Sequence, residues 1–306
     1  MAVKVLDFKD PNFAADFVAQ MRHIGAALVI NHPVSTDAIK KAYAEWMPQT
    51  GGFFGLTDEQ KHQFLWSKLS PEFGDPEIGF YPLRSEKGSE HRKNNKGTVN
   101  ENEYYHIKTG IDGSYPTTSP FAATRKLSTL NAEFVVTLLD ILEVHGPDKT
   151  QAPYFGDLSK SLSVGKWSTF RWLHYPPYEV AGDPDEDIEL IKVHKDKGCI
   201  TTVISPSEKG LCVEDRDGTY HEVPCIEGAI VVQIGEGLEL MSGGYYYAGR
   251  HTVRGPRKAL AKRRVSAARF WHFTPETRLS ADMTNGQSMQ KYWQKKGLEA
   301  PKEPKS

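Results

Sequence analysis

Apolar side chains recur at two periods along the chain, and the change of period divides it. Phe13, Phe17 and Met21 return every four residues after Asp10-Pro11, the spacing that lines one face of a helix. The apolar run 26–30 follows and stops at Asn31-His32-Pro33, which predicts a strand and then a turn. A longer helix is predicted over about 124–144, where Leu127, Leu130, Phe134, Leu138, Leu139 and Leu142 form a wide apolar stripe. After Leu162 the texture becomes short runs of β-branched and aromatic residues bounded by Gly, Pro or Asp. These runs, 168–175, 189–194, 201–205, 229–234 and 264–273, read as strands. Between two of them, the Asp217-Gly218 pair inside 213–223 marks a tight hairpin turn. Helices first and strands afterwards predict an α+β fold, with helices buttressing one face of a barrel or sandwich that stays open at one end.

Composition narrows the class. With 306 residues, 39% hydrophobic and 25% charged, the chain can bury a sizeable core. Its 38 basic and 39 acidic residues nearly cancel, so neither nucleic acid nor a membrane surface is expected as partner, and a small molecule is. Cys199, Cys212 and Cys225 form no C-x-x-C pair, which argues against a zinc ribbon or a thioredoxin-type site and suits reduced thiols. The first ten residues lack the apolar run of a signal peptide, and no stretch approaches the length of a membrane span. A cytoplasmic protein, monomeric or weakly oligomeric, is expected. The tail 295–306 is polar and rich in Lys and Pro, as in a frayed terminus.

Candidate chemistry sits in the strand-rich half. His194-Lys195-Asp196 places an imidazole and a carboxylate two residues apart at the end of a predicted strand, where both project to one side. His251 follows just before the β-branched pair Thr252-Val253. Two imidazoles and one carboxylate on one face of a metal form the triad that leaves coordination positions open for substrates. An H-x-D alone carries little weight in a chain with 11 histidines. Its weight rises with Arg264 and Ser266, which share a face on the last predicted strand and offer a guanidinium fork and a hydroxyl to a carboxylate; by itself, Arg264 reads as a surface residue of the basic run 258–264. His174 and His272 read as structural histidines. Of Tyr245, Tyr246 and Tyr247, some could line a pocket mouth while at least one faces the core. Gly235-Glu236-Gly237 matches no phosphate-binding pattern.

In combination, these features resemble the isopenicillin N synthase-like group of Fe(II)/2-oxoglutarate-dependent oxygenases over nearly the whole chain. The similar stretches include Gly25-Ala26-Ala27-Leu28-Val29-Ile30-Asn31-His32, Phe53-Phe54-Gly55-Leu56-Thr57, Arg171-Trp172-Leu173-His174-Tyr175-Pro176, and the approach from Gly235 to His251. The resemblance implies one oxygenase domain over 1–306. Within it, a helical and substrate-loop region (about 1–160) precedes a double-stranded β-helix, a jelly-roll or cupin-like core (about 161–275), and a C-terminal helix and tail (about 276–306). It implies Fe(II) on His194, Asp196 and His251, 2-oxoglutarate at Arg264, Ser266 and Tyr175, and O2 as second co-substrate. Pocket walls in the group come from N-terminal segments, which makes Tyr81, Arg84 and Tyr104 candidate substrate residues, although ordinary packing is the default reading of the two tyrosines and a solvated surface that of Arg84. The basic stretch 91–96 could meet a carboxylated substrate.

Three departures qualify the likeness. Leu173 stands where many members carry an asparagine, the interval from His251 to Arg264 is about three residues longer than usual, and isopenicillin N synthase itself needs no 2-oxoglutarate. The expected activity is oxidation of a C–H bond of a small carboxylated or amino-acid-derived metabolite in secondary metabolism, by hydroxylation, desaturation or ring closure, with succinate and CO2 as co-products. The rivals are a 2-oxoglutarate-independent iron oxidase, a zinc hydrolase or cupin-like isomerase, and a non-catalytic barrel that binds metal or a small molecule.

Overall fold

Alternation of apolar and polar positions in the second half of the chain produces strands with two distinct faces, and each face acquires its own core. A computed structural model describes residues 3–83, 102–177 and 182–298. In chain order its elements are β1 (Val5–Asp7), α1 (Phe13–His23), β2 (Ala26–Ile30), α2 (Thr36–Ala44), α3 (Asp58–His62), α4 (Trp66–Phe73), β3 (Gly79–Tyr81), β4 (Glu103–Ile107) and α5 (Ala122–Val144). There follow β5 (Leu162–Ser163), β6 (Thr169–Tyr175), β7 (Asp187–His194), β8 (Ile200–Ile204), β9 (Leu211–Glu214), β10 (Tyr220–Glu222), β11 (Ile230–Ile234) and α6 (Glu236–Met241). The chain closes with β12 (His251–Pro256), β13 (Arg264–Phe273), β14 (Arg278–Ser280), β15 (Met283–Thr284) and α7 (Asn285–Lys295).

The large sheet runs β1-β2-β11-β8-β13-β6-β4-β3, with β5 paired to β13, and the small sheet runs β10-β9-β12-β7. From β6 onward the chain crosses between them: β6 large, β7 small, β8 large, β9 and β10 small, β11 large, β12 small, β13 large. This is the expected double-stranded β-helix, a jelly roll wound from paired strands. The hairpin between β9 and β10 turns at Gly218, in the left-handed region (φ 82°), where a side chain would be strained. Asp215 caps the same turn, its carboxylate accepting from Asp217 N and Thr219 N at 2.9 Å each.

Helices cover the outer face of the large sheet. The stripe of α5 buries Leu127, Phe134, Leu138, Leu139 and Leu142, and its N-terminal amides are capped from a distance by the Glu45 carboxylate, which accepts from Ala123 N and Thr124 N at 3.0 and 2.8 Å. Trp46 is fully buried beneath this layer. It stacks on Trp172 of β6 at 5.1 Å, packs on Phe53, Tyr105 and Phe121, and donates to Thr124 Oγ1 at 2.9 Å. The inner face looks across at the small sheet through a second core that includes Leu28, Val231, Leu211, Val213 and Val253, together with a cluster of Tyr81, Tyr104, Leu173, Tyr175 and Ala268.

The expected strands match those observed to within two residues at their ends. Periodicity did not announce β4: its sequence EYYHI carries charge yet is buried at every position. Burial is compensated locally, because Glu103 pairs with Lys61 and with His174 at 2.8 Å each. His174 thus has the structural role expected of it. The three cysteines are free thiols, and among the described residues no helix is long and apolar enough to cross a membrane.

Because Trp46 joins the helical layer to β6 and β4, Trp46→Ala is expected to destabilise the fold by about 3–5 kcal/mol, the usual cost of truncating a fully buried large aromatic. Urea denaturation followed by circular dichroism measures this, and a loss below about 1 kcal/mol would show that the helical layer is held elsewhere.

Candidate metal centre

Strand pairing brings the first and last members of the triad together. β12 pairs antiparallel with β7 so that His251 stands opposite His194, and the two rings lie 4.2 Å apart between centroids. Between this pair and the pair Val253–Ile191, β7 contributes one residue more than β12, a β-bulge. A bulge breaks the two-residue alternation, and Ile191 and His194, three apart, both line the cavity at this end of the barrel.

Asp196 arrives by a different route from the one its spacing suggested. β7 ends at His194, so Asp196 lies in the following turn, and strand alternation does not aim it. The Gly235-Glu236-Gly237 turn holds it instead. Glu236 N donates to Asp196 O (2.8 Å), Gly237 N to Gly198 O (2.9 Å) and Gly235 N to Cys199 O (2.9 Å). A Cβ on Gly235 would stand 2.1 Å from Gly198 O, and one on Gly198 would stand 2.2 Å from Trp271 O, so the backbones meet only because both residues lack side chains. From α6, Glu239 binds Lys195 Nζ at 2.9 Å and Ala248 N at 2.9 Å, tying the segment of His194 and Asp196 to the one that leads into His251.

One ligand atom from each of His194, Asp196 and His251 lies within 4.8 Å of the others. Asp196 Oδ1 is 3.7 Å from His194 Nε2 and 3.6 Å from His251 Nε2. Each imidazole has its Nδ1 facing a carbonyl, Lys192 O at 2.7 Å for His194 and Gly249 O at 3.5 Å for His251. A carbonyl only accepts, so Nδ1 carries the proton and Nε2 presents its lone pair to the shared point. Burial pushes the Asp196 carboxyl up, but the charges of His251 and His194 outweigh it and the net shift is downward. Burial also lowers His251 to about 4. An ionised carboxylate with neutral imidazoles is the state a divalent cation needs. The Asp196 side chain is 4% exposed against 43% for His194, and its Oδ2 is buried without a hydrogen-bond partner. A buried carboxylate oxygen left unpaired is costly in a protein alone and natural in a metal site. The residues therefore fit a divalent ion of the imidazole-and-carboxylate class.

The cavity beside the triad has a volume of about 480 Å³ and is also lined by Glu77, His106, Arg171, Phe270 and His272. Arg264 and Tyr175 face each other across β13 and β6, and Ser266 faces Leu173 one step on. Arg264, Ser266, Ala268, Phe270 and His272 alternate onto one inner face, so Arg264 stands roughly 13 Å along the strand from Ala268, the partner of the cavity residue Arg171. Arg264 and Tyr175 line a second cavity of about 200 Å³. Arg264 is buried, donates through Nη1 to Lys209 O, and keeps Nε buried without a partner, while Ser266 is buried beside it. These donors fit a carboxylate. The longer interval before Arg264 is a 3-10 turn, Arg257–Ala261, whose Ala259 lines this second cavity.

Tyr81 and Tyr104 do not line the cavity by the triad; both are buried and stacked on each other at 4.5 Å. Arg84 and the basic stretch 91–96 lie outside the described residues. None of the three consecutive tyrosines lines that cavity either. Tyr246 is the core member, donating to Leu142 O at 2.6 Å, while Tyr245 and Tyr247 donate to His145 O and Asp215 O. His272 is a cavity residue as well as a buried one. The sequence alone assigns no role to Arg171, which the structure places in the cavity wall. The one available signal is the two-residue alternation through Arg171, Leu173 and Tyr175, which places all three on the same face.

Two outcomes follow for metal binding. His251→Ala is expected to abolish stoichiometric Fe(II) binding under anaerobic conditions, and Gly235→Ala, which touches no ligand, to weaken it by about 10–100-fold through displacement of the Asp196 turn. Calorimetric titration with Fe(II) reads both, and unchanged stoichiometry in His251→Ala would remove that residue from the site.

Residues 167–273 match the 2OG-Fe(II) oxygenase superfamily. The chain is 25% identical over 285 residues to the 2-oxoglutarate-dependent dioxygenase phqC of Penicillium fellutanum, covering 85% of this chain and 78% of that one. It is 33% identical over 93 residues to a 2-oxoglutarate-Fe(II) type oxidoreductase of Aspergillus fumigatus, a match spanning 30% of this chain and 27% of the relative. A solved structure from Shewanella oneidensis superposes with a TM-score of 0.76 at 25% identity, over 97% of this chain and 100% of that one. With the wound barrel and the His-Asp-His cluster at its mouth, these likenesses establish that the chain belongs to the 2OG-Fe(II) oxygenase superfamily, whose enzymes use Fe(II), 2-oxoglutarate and O2.

Proposed function

We propose that this enzyme holds Fe(II) with His194, Asp196 and His251, binds 2-oxoglutarate with Arg264, Ser266 and Tyr175, and oxidises a C–H bond of a small carboxylated or amino-acid-derived metabolite. The observation that carries the reading is convergence: two Nε2 lone pairs and a buried, otherwise unpaired carboxylate meet at one point on the wall of a cavity large enough for a small metabolite. When bound, the metal and 2-oxoglutarate supply the chemistry that couples O2 reduction to release of succinate and CO2 and to oxidation of the substrate.

The chain's own residues contribute geometry and charge. Lys192 O and Gly249 O hold the two imidazoles in the tautomer that points Nε2 inward, and the glycine turn sets the depth of Asp196. At the other end, the Arg264 guanidinium lies over the Tyr175 ring at 5.8 Å and offers donors to the distal carboxylate, with Ser266 adding a hydroxyl. Leu173, Ala268 and Val203 form an apolar wall on the inner face that would exclude water beside a bound co-substrate. Where relatives present an amide, Leu173 offers only apolar contact, so the load on Arg264 is greater.

The proposal includes one oxygenase domain over 1–306, a cytoplasmic setting in secondary metabolism, and a monomer or weak oligomer. The near balance of 38 basic and 39 acidic residues supports a protein that handles small molecules.

Anaerobically Fe(II)-loaded protein given 2-oxoglutarate and O2 is expected to form succinate, and Arg264→Gln to raise the KM for 2-oxoglutarate by about tenfold or more, since a charge-assisted contact is lost. Succinate and O2 electrodes or chromatography measure this. O2 consumption with a substrate but without succinate would assign the enzyme to the 2-oxoglutarate-independent oxidases instead.

A further inference from the structure

The cavity beside the triad contains a second arginine, and its surroundings bear on what the substrate must carry, given the oxygenase reading above. Arg171 is on the inner face of β6, opposite His106 of β4 and Ala268 of β13, and lines the same cavity as Asp196 and His194. Its guanidinium belongs to a stack of planar groups crossing the inner face of the sheet. Trp66 lies on Tyr81 (5.5 Å, 4° between planes), Tyr81 on Tyr104 (4.5 Å, 16°), and Arg171 Cζ over the Tyr104 ring (4.6 Å), with the Phe270 ring 5.1 Å away. The edge of the group is fixed too. Arg171 Nε donates to His106 Nε2 at 2.6 Å, and His106 Nδ1 donates to Glu77 O at 3.1 Å. Burial, with the charge of Arg171 added, holds His106 far below its usual range, so its ring stays neutral and accepts at Nε2. A long cationic side chain is thereby locked before any ligand arrives, which removes much of the entropy cost of using it.

The wall around Arg171 is biased toward cations. Five lysines line the cavity against Glu77, Asp196 and Glu236. Two of the acids are engaged by lysines, since Glu236 pairs with Lys197 and Glu77 lies 3.7 Å from buried Lys108, and Asp196 is in the triad. Arg264, the other inner-face arginine, stands at the far end of β13 and serves the co-substrate in the reading above. The two arginines therefore line separate cavities, about 13 Å apart along the sheet.

We propose that Arg171 anchors a carboxylate on the oxidised substrate, orienting that molecule in the 480 Å³ cavity beside the triad, and that the substrate class is small organic acids. The planar guanidinium suits the two oxygens of a carboxylate, and an uncharged carboxamide of the same shape loses the charge-assisted contact. Tyr81, Tyr104 and His106 act as positioning residues behind it.

The test uses the anaerobic enzyme loaded with Fe(II) and 2-oxoglutarate. It is titrated calorimetrically with phenylacetate, cyclohexanecarboxylate, L-proline and N-acetyl-L-phenylalanine, and with the carboxamide of each. At least one acid is expected to bind about tenfold or more tightly than its carboxamide. Arg171→Gln should erase that difference while changing 2-oxoglutarate affinity by less than about threefold, and Arg171→Lys, which keeps the charge but not the fork, should retain part of it. Melting curves of both variants establish that they are folded. No preference for any acid over its carboxamide overturns the proposal, as does a preference that survives Arg171→Gln. Loss of 2-oxoglutarate binding in Arg171→Gln also overturns it, by moving this arginine to the co-substrate. Failure of the wild-type enzyme to bind 2-oxoglutarate at all is a different result, which overturns the oxygenase reading itself.

Discussion

The register between β7 and β12 governs the whole arrangement, because it decides that His194 and His251 face each other. A one-residue slip would turn one imidazole to the opposite face. Several features oppose such a slip. Thr252 Oγ1 donates to Ile191 O at 2.6 Å, the bulge in β7 is specific to one pairing, and Val253 and Leu211 lock the neighbouring positions into the inner core. Burial of that apolar face, rather than any attraction between the imidazoles, supplies the free energy that holds the two metal ligands in register.

Asp196 depends on that register at one remove. Its turn is held by backbone bonds to the segment that opens α6, and α6 also reaches Lys195 and Ala248 through Glu239. One short helix therefore coordinates both ligand-bearing segments. Two glycines make the approach possible by absence of side chains, a role that no phosphate-loop pattern would reveal.

The large sheet uses its two faces for different purposes. Outside, Trp46, Trp172 and α5 make an ordinary aromatic and aliphatic core. Inside, the same strands present arginines, tyrosines and histidines, and several buried polar groups of the sheet are paired: Glu103 with Lys61 and His174 on the outer side, His106 with Arg171 and Glu77 O on the inner. Polar groups paired this way are rigid as well as tolerated. The result is a barrel with a metal triad at its mouth and two arginines, Arg171 and Arg264, on the same inner face.

The sequence by itself was enough for a barrel or sandwich, the position of most of its core strands along the chain, and the identity of three ligand candidates. Strand periodicity survives in 264–273 and 201–205 because their side chains face either the core or the barrel interior, and the H-x-D, His and R-x-S spacings are local. It could not show why Asp196 points inward, since that depends on a turn 40 residues away meeting Gly198 without a Cβ. Nor could it separate Tyr81 and Tyr104, which stack behind the cavity, from Arg171, which lines it. All three belong to short, mixed-polarity strands whose faces are assigned only when β3, β4 and β6 pair. Residue type and spacing are properties of the chain, whereas facing and distance belong to strand register, which is set by contacts between segments far apart in sequence.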